Sequence, residues 1–216
     1  MTFHGNIIFP EGAGGNHLRW LLFLDPQYPD PFNNYNDPVS KANFIIDEVY
    51  HSDRTWNTWL QREWHHRPML DGPINISHNF QEWGNLTHQR TLYVIFKDYE
   101  LPITHYSHIN LSLNSTTPEQ FRNKFRYRHS IMLEIQNQNN PNFTFAYGDT
   151  IFDPQLDLNF YQQLVDCFKF GNYYEQAARV HRAYTECRNR SAKDFIEYFN
   201  SDEFKKFQQV LLKITR

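Results

Sequence analysis

Short apolar runs alternate with longer stretches of helical spacing along the chain. The apolar runs predict strands at residues 6–10, 74–78, 91–97 and 142–152. Because helical stretches separate these strands, we expect them to lie parallel in one sheet. The pattern therefore predicts an α/β fold, in which a short parallel sheet is flanked by helices and closed by a helical C-terminal part.

Helices are predicted at residues 16–24, 41–50, 53–65 and 117–136, and in blocks from residue 157 onward. The start signals are Asn16, Thr117 followed by Pro118, and the capping patterns that begin at Asn172 and Ser191. Residues 25–40 contain four prolines, so we expect a surface loop there that is able to act as a lid.

Length and composition narrow the class of protein. The 216 residues allow one good-sized core, so we expect one domain, with an α/β part at 1–155 and a helical part at 156–216. The net charge of -3 disfavours general coating of nucleic acid or of an anionic membrane. The chain has no apolar run of about 18 residues and no signal-like start, so we expect neither a membrane span nor secretion.

A glycine-rich turn follows the first predicted strand and precedes the first predicted helix. It holds three of the eight glycines of the chain, which indicates a requirement on the backbone. A turn in this position directs backbone N–H groups and the positive end of a helix at an anion. No Gly-Lys-Ser/Thr follows, so the turn is not a Walker A motif, and a plain tight turn is the alternative. The residues predicted to hold the anion are Gly12, Ala13, Gly14, Gly15, Asn16, His17 and Arg19.

Residues 6–22, NIIFPEGAGGNHLRWLL, resemble the opening of P-loop sulfotransferase-like proteins, in particular the small divergent members of phage and marine bacterial genomes. Residues 74–78 resemble the strand that ends in the family's catalytic histidine, and residues 91–98 resemble the strand leading to its 3′-phosphate site. Residues 152–184 resemble its C-terminal helices.

The resemblance implies a P-loop NTPase-like fold whose 1–155 part binds 3′-phosphoadenosine 5′-phosphosulfate. The implied activity is transfer of the sulfuryl group to a hydroxyl acceptor such as a carbohydrate, in the cytoplasm, or in the host cytoplasm if the protein is viral. The implied catalytic base is His78, which ends a predicted strand, where α/β folds place their ligands. The alternative for His78 is an ordinary polar residue at a strand end.

The chain departs from the family at the anion site. Glu11 stands near the place of the family's loop lysine, and an acid there repels a polyanion. The Arg and Ser of the family's 3′-phosphate site have no evident counterpart, and Lys97, Ser107 or residues 188–191 are possible replacements. The alternative function is therefore a non-catalytic binding or virion-associated protein that retains the P-loop fold.

Two further groups of residues each have a structural and a functional interpretation. One group is the basic run Arg122, Lys124, Arg126, Arg128 and His129 on a predicted amphipathic helix, where Arg122, Arg126 and His129 share one face and Arg128 falls on the apolar face. This run predicts either a solvated basic side of the helix or an anion contact to a nucleotide, an acceptor or a nucleic acid. Adjacent histidines such as His65 and His66 do not easily reach one metal, and His105 and His108 lie in a predicted loop without nearby Cys or Glu ligands, so we expect no metal. The expected partners are the nucleotide donor and its acceptor, without a membrane, and nucleic acid is disfavoured.

Overall fold

The computed structural model describes residues 5–30, 34–50, 65–66, 70, 72–78, 89–110, 118–199 and 202. The predicted helix at 53–65 lies outside the described residues except for its last position, and so does most of the predicted C-terminal helix. The other predicted strands and helices fall on described residues.

The predicted parallel sheet is present. In the described part of the chain it has four strands, β1 (Gly5–Ile8), β2 (Ile74–Ser77), β3 (Thr91–Ile95) and β4 (Phe143–Tyr147). Their order is β2-β1-β3-β4, and every neighbouring pair is parallel. The second strand is added on one side of β1, and the third and fourth are added on the other side. The direction in which strands are added therefore reverses between β1 and β3. In open α/β sheets, ligands bind at this point, beyond the carboxyl ends of the strands.

Helices cover both faces of this sheet. Among the described residues they are α1 (Gly15–Phe23), α2 (Pro38–Phe44), α3 (Glu100–Asn110), α4 (Pro118–Gln136), α5 (Leu158–Phe168) and α6 (Tyr174–Phe199). A π-helical turn, Ile45–Val49, extends α2, and a 3-10 turn, Gly148–Phe152, follows β4. None of the described helices is both long and apolar enough to cross a membrane.

Alternate residues of β3 enter two different cores. Leu92 and Val94 join the main core with α1, α5 and α6, whereas Tyr93 and Ile95 pack with apolar residues of α4 on the other face. The main core extends along the chain as far as Cys187. The C-terminal helices therefore share one core with the sheet, and the arrangement is a sheet between two helical layers.

Several predicted boundaries differ from the structure: α2 begins at Pro38, inside the predicted loop, and α3 covers the region of His105 and His108 that was predicted as a loop. Three further differences are informative, two of them in helices. Helix α1 begins at Gly15 with Gly14 as its N-cap, so Asn16 is not the cap. Helix α6 continues through Ser191 to Phe199, because no Gly or Pro between Tyr174 and Ser191 breaks it and a capping pattern needs such a break.

The third difference is in β4, because the strand predicted to run to residue 152 ends at Tyr147. A side chain on Gly148 would lie 2.4 Å from Val94 and 2.6 Å from Phe96, so the backbone there turns tightly over β3. The Asp149 carboxylate then accepts hydrogen bonds from the N–H groups of Lys97 and Asp98. These bonds tie the segment after β4 to the segment after β3.

Candidate functional site

The glycine turn lies at the carboxyl end of β1, at the reversal of strand order. Gly12 and Gly14 have φ values of 80° and 76°, in the left-handed region that glycine tolerates best. Helix α1 begins at this turn without a side-chain cap, so the N–H groups of its first turn are not satisfied by a capping side chain. The turn thus has the backbone arrangement that binds anions.

The same glycines are also required by packing. A side chain on Gly15 would lie 1.6 Å from the ring of Phe9, and one on Gly14 would lie 2.9 Å from the Tyr184 hydroxyl and 3.1 Å from Ile151. Ala13 is fully buried, and its N–H donates to the Pro10 carbonyl. The turn is therefore held in one conformation by side chains that pack directly against it.

The Arg19 side chain joins α1 to the start of β2. Its Nη1 donates to the carbonyls of Leu70 and Ile74 at 3.2 and 3.5 Å, and its Nη2 approaches Asn16 Oδ1 at 3.5 Å. Ile74 is the first residue of β2 and pairs with Gly5, at the amino edge of the sheet. These contacts give Arg19 a role in packing at the edge opposite the turn.

The His17 side chain belongs to a buried hydrogen-bonded chain. Its Nδ1 lies 3.2 Å from Tyr50 Oη, and its Nε2 lies 3.0 Å from Nδ1 of His181. Nε2 of His181 lies 2.6 Å from the Asp153 carbonyl, which only accepts, so this nitrogen carries the proton. It follows that His17 Nε2 donates to His181 and that Tyr50 donates to His17. Both ring nitrogens of His17 are thus engaged, so the prediction that its side chain donates to an anion in the turn is wrong.

Both histidines of this chain are neutral at pH 7. Burial lowers the pKa of His181 to about 4, with a further contribution from the Arg188 charge. Burial also holds the pKa of His17 well below its ordinary value, and the charges of His181 and Arg188 act in the same direction. Arg188 itself donates to the carbonyls of Ile151 and Phe152, so it is a buried structural cation beside the pair.

His78 lies beside the glycine turn, directly after β2. Its Nδ1 is 3.0 Å from the Phe9 carbonyl, and its ring packs edge-on against the Phe9 ring at 4.5 Å. The carbonyl holds the proton on Nδ1, so the unprotonated nitrogen is Nε2. Burial lowers the pKa of His78 below its ordinary value despite the Phe9 hydrogen bond and the Glu11 charge, which raise it. A neutral histidine with a fixed tautomer is suited to accept a proton at Nε2.

Two basic residues of α4 pair with Glu11 in the turn. Lys124 Nζ lies 2.5 Å from Glu11 Oε2, and Arg128 Nη2 lies 3.4 Å from Glu11 Oε1. Burial alone raises the pKa of Glu11, but the Lys124 hydrogen bond and the two positive charges outweigh it, so the pKa lies below its ordinary value. The amphipathic pattern placed these cations on a helix, but no local signal placed that helix at the turn.

The other candidate residues are distributed around the same edge. Lys97 Nζ lies 4.3 Å over the Tyr147 ring, and Arg188 binds backbone carbonyls as described above. His105 is buried near Phe152, and the side chains of Ser107 and His108 lie outside the described set. No cluster of three or more metal-ligating side chains occurs in the part of the chain that the structure describes.

The function of this protein has to be inferred from the geometry of the site. No family model, curated protein or solved structure matches this chain. Of the predicted residues, the structure brings Gly12 to His17 and His78 together at one edge of the sheet. The Arg19 side chain points away from the turn, whereas Lys124 and Arg128 of the predicted basic run reach Glu11 in the turn.

Proposed function

We propose that the protein transfers a sulfuryl group from 3′-phosphoadenosine 5′-phosphosulfate to a hydroxyl acceptor such as a carbohydrate, on a P-loop NTPase-like fold. One observation carries the proposal. The glycine turn stands at the reversal of strand order in a parallel sheet, with His78 bonded to the Phe9 carbonyl at its start. An anion-binding turn and a neutral base are the two parts that transfer to a hydroxyl requires.

The donor phosphosulfate would be bound mainly by backbone groups. Hydrogen bonds come from the backbone N–H groups of the turn and of the first turn of α1, apart from that of Ala13, which donates to the Pro10 carbonyl. Helix α1 also contributes the positive end of its dipole. The turn has no cationic side chain of its own. Positive charge is supplied by Lys124 and Arg128 of α4, which reach Glu11 in the turn. Arg19 acts on the position of α1 through the carbonyls that it binds.

In the reaction, His78 Nε2 takes the proton of the acceptor hydroxyl as its oxygen attacks the sulfur. The bond between the sulfur and the bridging phosphate oxygen breaks, and 3′-phosphoadenosine 5′-phosphate leaves. The developing negative charge on that phosphate is stabilised by the N–H groups of the turn and by the two cations of α4. The Phe9 carbonyl keeps the proton on Nδ1 and so keeps Nε2 ready to accept.

A second candidate function is a non-catalytic binding or virion-associated protein with the same fold. Its support is the Glu11 carboxylate, which already neutralises the two cations nearest the turn. A protein that binds no nucleotide has no need to keep these cations available. The two candidates differ in whether the turn binds the donor.

The test is transfer of radioactive sulfur from the labelled donor to a panel of sugars and other hydroxyl compounds. The proposal expects label on at least one acceptor class with the wild-type protein. The Gly14→Val substitution should remove donor binding and transfer together, because a side chain at φ 76° would collide with Tyr184 and Ile151 and so distort the turn. Nucleotide binding with no transfer to any acceptor would favour the second candidate. Unchanged donor binding by a folded Gly14→Val variant would contradict the assignment of the turn.

A further inference from the structure

The Glu11 carboxylate occupies a small site that is built to hold an anion. Lys124 and Arg128 stand one helical turn apart on α4, so their charged ends reach the same side of the helix. Each binds a different oxygen of Glu11, at 2.5 and 3.4 Å. The side chains of Glu11 and Arg128 are only 22% and 15% exposed, so their contact is partly shielded from water, whereas Lys124 is 41% exposed.

The site is filled by a flexible side chain of the protein itself. Glu11 enters it from the turn through a side chain with three rotatable bonds, and its backbone is followed directly by the glycines of the turn. A carboxylate and a phosphate present the same type of oxygen to Lys and Arg. Rotation of the Glu11 side chain toward water would leave the two cations in place next to the turn.

We propose that Glu11 is an internal competitor, which fills the phosphate subsite of the empty protein and is displaced when a phosphorylated ligand binds. In the bound state, Lys124 and Arg128 exchange the carboxylate for phosphate oxygens, and Glu11 turns outward. This inference rests on the proposed function only for the location of the ligand at the glycine turn. It does not depend on sulfuryl transfer.

The exchange selects ligands by charge. When Glu11 turns outward, Lys124 and Arg128 lose one negative charge as a partner. A monoanionic ligand only replaces that charge, so the net gain in electrostatic binding energy is small. A phosphate dianion or a pyrophosphate brings more negative charge and also reaches the N–H groups of the turn. The preferred ligands are therefore phosphate esters that carry at least two negative charges, and simple carboxylates are disfavoured.

The inference is tested by calorimetric titration of inorganic pyrophosphate and of 3′-phosphoadenosine 5′-phosphate. The variants are Glu11→Gln, which keeps the shape of the side chain and removes its charge, and Lys124→Met, which removes one cation. Glu134→Gln on α4 is the matched control, because this exposed residue gives the same change in net charge without touching the turn. Circular dichroism confirms that each variant is folded.

We expect Glu11→Gln to tighten the binding of both ligands about tenfold, Glu134→Gln to change it less than about twofold, and Lys124→Met to weaken it about tenfold. Equal or weaker binding by Glu11→Gln, with wild-type binding present, would overturn the inference and leave the proposed donor site standing. Tighter pyrophosphate binding without preference for the nucleotide would support the inference and count against the donor assignment. Absence of binding in all forms would overturn both.

Discussion

The Nε2 atom of His17 lies 3.0 Å from Nδ1 of His181, although 164 positions separate the two residues along the chain. This bond joins α1 to α6 beneath the glycine turn. Tyr184, one turn beyond His181, stacks on the His17 ring at 3.9 Å, and its hydroxyl fills the space that a Gly14 side chain would need. The neutral histidine pair therefore helps to hold the turn in its observed conformation.

The histidine pair makes stability depend on pH. Because the folded pKa of His181 is about 4 and its ordinary value is 6.5, the unfolded chain binds more protons between these values. The contribution is intact above pH 6.5 and is lost as the pH falls to about 4, by about 3 kcal/mol for His181, and His17 acts in the same direction. Urea unfolding at a series of pH values measures this slope.

The variant His181→Asn should have a shallower slope over that pH range, because its amide does not titrate. This variant should also be less stable at pH 7, because the shorter Asn amide cannot make both hydrogen bonds of the His181 ring, to His17 and to the Asp153 carbonyl. An unchanged slope in the His181→Asn variant would show that the pair does not titrate as described.

The Gly14→Ala substitution should cost about 2 kcal/mol or more of unfolding free energy. The cost has two parts, the left-handed backbone of φ 76° and the contact of the new Cβ with the Tyr184 hydroxyl at 2.9 Å. A double-mutant cycle with Tyr184→Phe separates them. The cost should fall by about 0.5–1 kcal/mol in the Tyr184→Phe background, and strict additivity would mean that the hydroxyl does not constrain the turn.

His78→Asn should reduce sulfuryl transfer about 10²–10⁴-fold and change the dissociation constant of the donor less than about twofold. The Asn amide is able to keep the hydrogen bond to the Phe9 carbonyl, but it offers no base in the place of Nε2. The rate of the wild-type protein should fall as the pH drops below the lowered pKa of His78 and should be level at neutral pH. A transfer rate near wild type in the Asn variant would remove His78 from the mechanism.

The sequence predicted the parts of the fold that depend on neighbouring residues. The β1 strand, the glycine turn and α1 are continuous in the chain, and their apolar pattern and glycines specify them locally. The start of α4 is likewise within one residue of its prediction, because Pro118 fixes the first turn of the helix. The helix start predicted at Ser191 is wrong, because the helix from Tyr174 to Phe199 continues through this residue. A local capping pattern does not by itself end a helix.

The side-chain partners at the site could not be predicted in this way. Glu11 meets Lys124 across 113 positions of the sequence, and His17 meets His181 across 164. Such pairs are set by how α4 and α6 pack on the sheet, and no spacing rule within one element contains that information. His17 was predicted as a donor in the turn because it is polar and adjacent, whereas its side chain is turned into the core by the partners that it finds there.

We propose that the glycine turn and the two cations of α4 form the binding site of a nucleotide donor. Calorimetric titration of the wild-type protein with 3′-phosphoadenosine 5′-phosphate, with ATP as the comparison ligand, tests it most directly. We expect micromolar binding that is selective for the 3′-phosphorylated nucleotide and lost in the Gly14→Val variant. Failure of the folded wild-type protein to bind either nucleotide would contradict a donor site at the turn and leave the turn as a purely structural element.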